Sequence, residues 1–140
     1  MAADRVHNPL AGETITFRRS TPEALEFDLE LRPLGVPGGT AHRHHPAEHF
    51  EIKSGDLLAF VAGRMPRRLR AGDAISVPGG RWHLLVALGT TVARVTVDPP
   101  MRFAELLRCQ AAVGSGDLRP GTLRRLNALL REHDCVPRLP

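Results

Sequence analysis

Five of the seven histidines lie between residues 42 and 83, and four side chains in that stretch have the types and spacing of a metal site. His42 and His44 are two apart, so on a strand both imidazoles point to one face. Glu48 follows across His45-Pro46-Ala47, where the proline predicts a bend between strands. His83 comes 35 residues after Glu48, just beyond Pro78-Gly79-Gly80, at the start of another predicted strand. Three neutral imidazoles and one carboxylate suit one divalent ion per chain: Fe, Mn, Ni, Co or Zn. Nothing in this stretch provides the thiolates of a structural zinc site. Such a set leaves coordination positions for water or substrate. An ion held by a single carboxylate is net positive and favours a chelating oxygen donor: an enolate, β-diketone, α-hydroxyketone or catechol-like phenol.

The elements that must position these groups read as short strands. Leu25, Phe27, Leu29 and Leu31 alternate with Glu26, Asp28 and Glu30, which is strict period two with an acidic outer face. Further strands are predicted at His42–His44, Phe50–Lys53, Leu57–Ala62, Arg67–Arg70, Ala74–Val77, Trp82–Ala87 and Val92–Val97. Turn signals at 54–56, 62–64, 71–73, 78–80 and 89–90 separate most of them. This spacing predicts an antiparallel sandwich or barrel. Residues 1–22 read as a lead-in with one strand, Thr14 to Arg18, residues 23–98 as the barrel core, and residues 99–140 as a helical extension. In the extension Phe103, Leu106, Leu107 and Val113 have helical spacing, and GSGD at 114–117 ends that helix. A second helix is predicted from Thr122 to about Glu132, with Leu123, Leu126, Leu129 and Leu130 on one packing face, followed by an extended tail, CVPRLP.

Two segments resemble the signature of a known superfamily, the cupins. HRHHPAEHFEIKSG (42–55) matches HxH(x)3E(x)6G, and GDAISVPGGRWH (72–83) matches G(x)5PxG(x)2H, in the same order and at a similar separation. Val36 and Ala87 stand where the family motifs usually carry Gly and Asn. The resemblance covers roughly residues 14–98. It implies an antiparallel jelly-roll β-barrel, here followed by two short C-terminal α-helices, with His42, His44, Glu48 and His83 holding the ion inside. It also implies pairing of barrels, so a homodimer is expected, with Thr14–Arg18 as a candidate exchanged edge strand. The apolar residues Phe27, Leu29, Phe50, Ile52 and Val77 are expected to line the substrate pocket.

The surrounding groups are expected elsewhere. By strand parity His45, His49 and Glu51 face outward, and Trp82 packs outside the barrel or at a subunit contact. The chain has no tyrosine, which excludes tyrosine general-base mechanisms, and few other acid–base groups are expected inside the barrel. Chemistry then falls on the ion, its bound water and Glu48. The implied function is a metal-dependent enzyme on a small oxygenated molecule, with the ion as Lewis acid (isomerase or cyclase) or as an O2-activating centre (dioxygenase). The alternative is a non-catalytic cupin that binds a metal and a small ligand.

Composition narrows the partners. The net charge of +4 is modest, and the cluster Arg64, Arg67, Arg68 and Arg70 has no aromatic residue among it to stack on bases, so no nucleic-acid partner is expected. The longest apolar run, Leu84 to Leu88, is too short to span a membrane, and no secretory signal is visible, so a cytoplasmic protein is expected. Cys109 and Cys135 are too few for a disulfide framework and read as free thiols.

Overall fold

The alternating segment from Leu25 to Leu31 forms a strand with its leucines and Phe27 buried and its acids turned outward. Two of those acids face arginines: Asp28 accepts from Arg18 and Arg94, each at 2.7 Å, and Glu26 lies 3.7 Å from Arg94. The structure, a computed structural model, describes residues 4–137, so the ends of the predicted lead-in and tail lie outside the described residues. In chain order the strands are β1 (Arg5–Asn8), β2 (Glu13–Ser20), β3 (Leu25–Leu31), β4 (His42–Arg43), β5 (Ala47–Ser54) and β6 (Asp56–Val61). They continue with β7 (Arg67–Arg70), β8 (Ala74–Val77), β9 (His83–Ala87) and β10 (Thr91–Asp98). Two helices follow, α1 (Phe103–Gly114) and α2 (Pro120–Glu132), and then a two-residue strand, β11 (Val136–Pro137).

The strands make two antiparallel sheets, ordered β1-β2-β3-β10-β5-β8 and β11-β4-β9-β6-β7. Their inner faces share one core that includes Phe50, Leu57, Leu69, Leu85 and Val95, giving a jelly-roll sandwich. Burying each such aliphatic or aromatic side chain stabilises the fold by about 1.5–3 kcal/mol. Two motif glycines have backbone reasons. Gly55 has φ 106°, and a Cβ there would lie 2.5 Å from the Thr90 carbonyl oxygen. Gly80 has φ 78°, a left-handed turn position whose N–H donates to the His44 carbonyl.

Several expectations need correction. The strand predicted at Thr14–Arg18 exists as β2 but is not an edge, because β1 pairs with it on one side and β3 on the other. β1 was not foreseen: its sequence, RVHN, has a single apolar residue and no alternation to read. The second helix starts two residues before the predicted Thr122, with Pro120 in the first turn, where its missing N–H costs nothing. Of its four leucines only Leu129 is fully buried, while Leu126 and Leu130 are half-buried and Leu123 is 41% exposed. The helix leans on the barrel by its C-terminal end, so a stripe reads as buried only there. Cys109 and Cys135 are free, as expected.

The helices pack on the barrel rather than standing apart. α1 buries Phe103, Leu106 and Leu107 in the common core. The segment after α2 is tied to the histidine loop, since the His45 N–H donates to the His133 carbonyl at 2.7 Å and β11 pairs with β4. His133 is itself a structural histidine: its Nδ1–H donates to the Leu129 carbonyl and its Nε2 accepts from the Arg102 N–H. Among the described residues no helix is long and apolar enough to cross a membrane. The arginine cluster is engaged on the surface, Arg68 with Asp56, Arg64 with the Ser76 carbonyl and Arg67 with the Ala74 carbonyl.

Candidate metal centre

Three strands and the connection after one of them bring the four predicted ligand residues to one point. His42 starts β4 and lies directly opposite His83, the first residue of β9. His44 sits one residue past the end of β4, and Glu48 is the second residue of β5. The expected His42–His44 strand is thus only two residues long, yet both imidazoles reach the same place. Ligand-type atoms of His42, His44, Glu48 and His83 all lie within 4.8 Å of one another, and the three rings have centroids 4.4 to 5.1 Å apart.

The outer side of each ring explains which nitrogen faces in. His42 Nδ1 lies 2.8 Å from the Thr40 carbonyl oxygen, His44 Nδ1 2.8 Å from that of Pro46, and His83 Nδ1 2.9 Å from that of Arg81. A carbonyl oxygen only accepts, so each Nδ1 carries a proton and donates it. That leaves the three Nε2 atoms as the inward-facing donors, and the backbone fixes each ring's orientation.

The electrostatics suit a cation. Among the described residues, His83 Nε2 is the one buried side-chain nitrogen or oxygen without a hydrogen-bond partner. Burial, with the neighbouring His83, pushes His42 down to about 4, so it is held neutral. Burial also disfavours charge on His44, but the Glu48 carboxylate, 2.7 Å from its Nε2, overcomes this and raises its pKa. Burial would raise the Glu48 pKa, yet the charge and hydrogen bond of His44 outweigh it and hold the carboxyl well below its ordinary range. A polar cluster taken so far out of water is costly unless something compensates it. Three oriented Nε2 donors and one carboxylate match the preference of a first-row divalent ion.

Three of the four, His42, Glu48 and His83, form one wall of a partly enclosed cavity that His44 does not line. The rest is mostly apolar: Ile15, Phe27, Leu29, Phe50 and Leu85 come from the sheets, and Phe103, Leu106 and Leu107 from α1. About 30 Å³ is open to a water's centre, room for about two waters. Of the five residues expected on the pocket wall, Phe27, Leu29 and Phe50 are there. Ile52 and Val77 are not among its lining residues; both are buried in the core, Val77 directly opposite Glu48 across the β5–β8 pairing. Inward parity gives the face of a strand but not the depth along it, and Ile52 lies four residues, or about 13 Å, along β5 from Glu48.

The neighbouring groups sit largely as expected. His45 is exposed, His49 bonds the Ser76 hydroxyl at the surface, and Glu51 pairs with Lys53. Trp82 is half-buried under the Arg43 guanidinium and lines a shallow outer groove with Phe60 and Pro66.

Three polar cavity residues were not foreseen: Glu13, Gln110 and Cys135. Burial and the Glu48 charge push the Cys135 thiol up to about 11, so it is a neutral thiol beside the cluster. Glu13 is 4% exposed, and burial, reinforced by Glu48 and opposed by a hydrogen bond from the Gly38 N–H, raises its carboxyl to about 7. Few acid–base groups were expected inside the barrel, and Glu13 is one that was not named. The signal was present, since Glu13 shares its parity with Ile15 and Phe17.

Comparison with known proteins agrees with this architecture. The Cupin_2 family, described as "Cupin domain", matches residues 30–98. An RmlC-like cupin from Shewanella frigidimarina superposes with a TM-score of 0.63 at 18% identity, over 70% of this chain and 85% of the other. KdgF from Halomonas gives 0.60 at 23% identity, over 66% and 85% of the two chains. Salicylate 1,2-dioxygenase from Pseudoaminobacter salicylatoxidans gives 0.56 at 18% identity, over 67% of this chain and 27% of the other. No curated protein matches the chain in sequence. The two motifs in register, the jelly-roll fold and the family match place the chain in the cupin superfamily.

Proposed function

We propose that this cupin is a metal-dependent enzyme acting on a small, largely apolar, oxygen-bearing molecule. The observation that carries this reading is the position of the cluster. Three backbone-oriented Nε2 atoms and one carboxylate converge at one point, three of the four residues (His42, Glu48 and His83) line a largely apolar cavity, and His83 Nε2 has no hydrogen-bond partner among the described residues. A divalent ion held by His42, His44, Glu48 and His83 would supply Lewis-acid polarisation of a carbonyl or, if redox-active, a site for O2. The chain's own residues set the rest. Phe27, Leu29, Phe50 and Phe103 exclude water and hold an apolar body rather than a sugar. The limited space favours compact diketones and hydroxyketones over multi-ring phenols, unless the wall supplied by α1 moves.

The fold does not choose the reaction, because cupin neighbours include salicylate 1,2-dioxygenase and oxalate decarboxylase. The buried Glu13 carboxyl supports the Lewis-acid reading, which needs a proton acceptor. The tightness of the cavity supports a second reading, a protein that binds a metal and a small ligand without turnover. We further propose a homodimer; β1 is an edge of the six-stranded sheet and takes the place assigned from sequence to β2.

The test is turnover of a panel of diketones, hydroxyketones and small phenols by metal-loaded protein, in air and without oxygen. Unchanged turnover without O2 selects Lewis-acid chemistry, and loss of turnover selects the dioxygenase. Tight binding without turnover, abolished in His83→Ala, selects the binding protein.

A further inference from the structure

One acid in the cavity takes no part in the metal cluster. Glu13 opens β2, with its side chain on the buried face that Ile15 and Phe17 continue. Among the described residues no arginine, lysine or histidine forms an ion pair with it, and it is not one of the clustered ligand residues. Packing alone would be served better by an apolar residue, because a desolvated carboxyl is costly to bury. Instead the strand spends an inward position on a carboxyl that lines the same cavity as the cluster.

Its surroundings hold it there without neutralising it. The Gly38 N–H donates to the carboxyl, and Gly38 itself packs on the His42 ring, where an added Cβ would lie 2.9 Å from Cε1. The titratable groups lining the cavity with it are Glu48 on β5, His42 on β4, His83 on β9 and Cys135 before β11. From β3 come Phe27 and Leu29, and from α1 come Phe103, Leu106, Leu107 and Gln110, none of them charged. The cavity wall therefore carries residues of the candidate metal cluster and a separate carboxyl, and most of its other side chains are apolar.

Resting on the reading of this cupin as a metal-dependent enzyme, we propose that Glu13 is the acid–base residue of the cavity and that its substrates are small enolisable carbonyl compounds. The ionised carboxyl takes a proton from the carbon beside the substrate carbonyl. That C–H bond breaks, its electron pair becomes the C=C bond of the enolate, and the carbonyl π pair moves onto oxygen. The protonated carboxyl then returns the proton to the same carbon, which gives exchange, or to the other end of the enediolate while the hydroxyl proton there passes to the former carbonyl oxygen, which gives isomerisation; nothing is oxidised. The apolar wall holds the carbon skeleton and keeps bulk water from protonating the intermediate.

The test uses the full chain loaded with Zn2+, with hydroxyacetone in D2O as the probe. Deuterium entry beside the carbonyl is followed by mass spectrometry, Zn2+ content by elemental analysis, and acetohydroxamate affinity by calorimetry. Glu13→Gln is expected to keep its Zn2+ and bind acetohydroxamate within about threefold of wild type, while losing about 100-fold or more of the exchange rate. Glu13→Asp is expected to recover part of that loss. Difference infrared spectra of the unloaded protein should show a buried carboxylic acid band in the wild type at about pH 6 that is missing from Glu13→Gln. Exchange by Glu13→Gln at the wild-type rate overturns the assignment. So does a wild type that holds Zn2+ and acetohydroxamate but exchanges no deuterium, which leaves the metal site standing. A wild type that holds no Zn2+ overturns the underlying reading, and the proposal with it.

Discussion

Replacing Glu13 by glutamine should make the metal-free protein more stable at alkaline pH. The carboxyl is raised from 4.5 to about 7 in the folded chain. Below the unfolded value both folded and unfolded chains carry the proton, and the full contribution is present. As pH rises the unfolded chain gives up its proton first, so stability falls until the folded carboxyl ionises as well. Each unit of pKa difference corresponds to about 1.4 kcal/mol, so the loss across this window is about 3 kcal/mol. Glutamine keeps the shape but does not titrate. The stability difference, Glu13→Gln minus wild type, should therefore rise by about 3 kcal/mol between about pH 4.5 and pH 8. Groups such as His44 and Glu48 remain in both proteins and largely cancel. The assay is urea unfolding of chelator-treated protein at a series of pH values, with the free energies extrapolated to water. A difference that stays constant within about 0.5 kcal/mol across the window would refute the argument, because it would mean that the carboxyl is solvated or paired. Added Zn2+ should shrink the wild-type penalty, since a nearby cation favours the ionised carboxyl.

Three further outcomes follow from the packing and the surface. Leu129→Ala should cost about 2–5 kcal/mol in thermal or urea unfolding, because this residue is 1% exposed; Leu123→Ala, on the exposed side of α2, should cost less than about 0.5 kcal/mol. His49→Ala should change turnover on any active panel member by less than about tenfold, since its ring bonds Ser76 at the surface, outside the cavity. Light scattering at micromolar concentration should give the mass of a homodimer, and a monomer mass would refute that expectation.

The parts of this protein that were readable in its sequence are those where one periodicity or one spacing carries the information. Leu25–Leu31 alternates without a break, and β3 has those same bounds. His42, His44, Glu48 and His83 could be picked out because a metal needs particular atoms, and few other residue types supply them. The unreadable parts depend on what a face meets. The helical spacing of Phe103, Leu106 and Leu107 announced a buried stripe, but not that the stripe would form part of the cavity wall. Ile52 and Phe50 share a strand face, and only position along the barrel separates core from cavity. Glu13 stood one residue before the predicted strand Thr14–Arg18, outside its bounds, although its parity with Ile15 pointed inward. β1 is four residues long with one apolar side chain, and its existence depends on the edge that β2 offers it.

The central claim is that His42, His44, Glu48 and His83 hold one divalent ion on the cavity wall, and metal content measures it most directly. Wild type, His44→Ala and His83→Ala should be purified without added metal, checked for folding by circular dichroism, and analysed for Mn, Fe, Co, Ni and Zn. The account predicts about one equivalent of a single divalent metal per wild-type chain and a small fraction of that in folded variants. Equal metal content in the three proteins, or none in wild type even after dialysis against each metal, would contradict it.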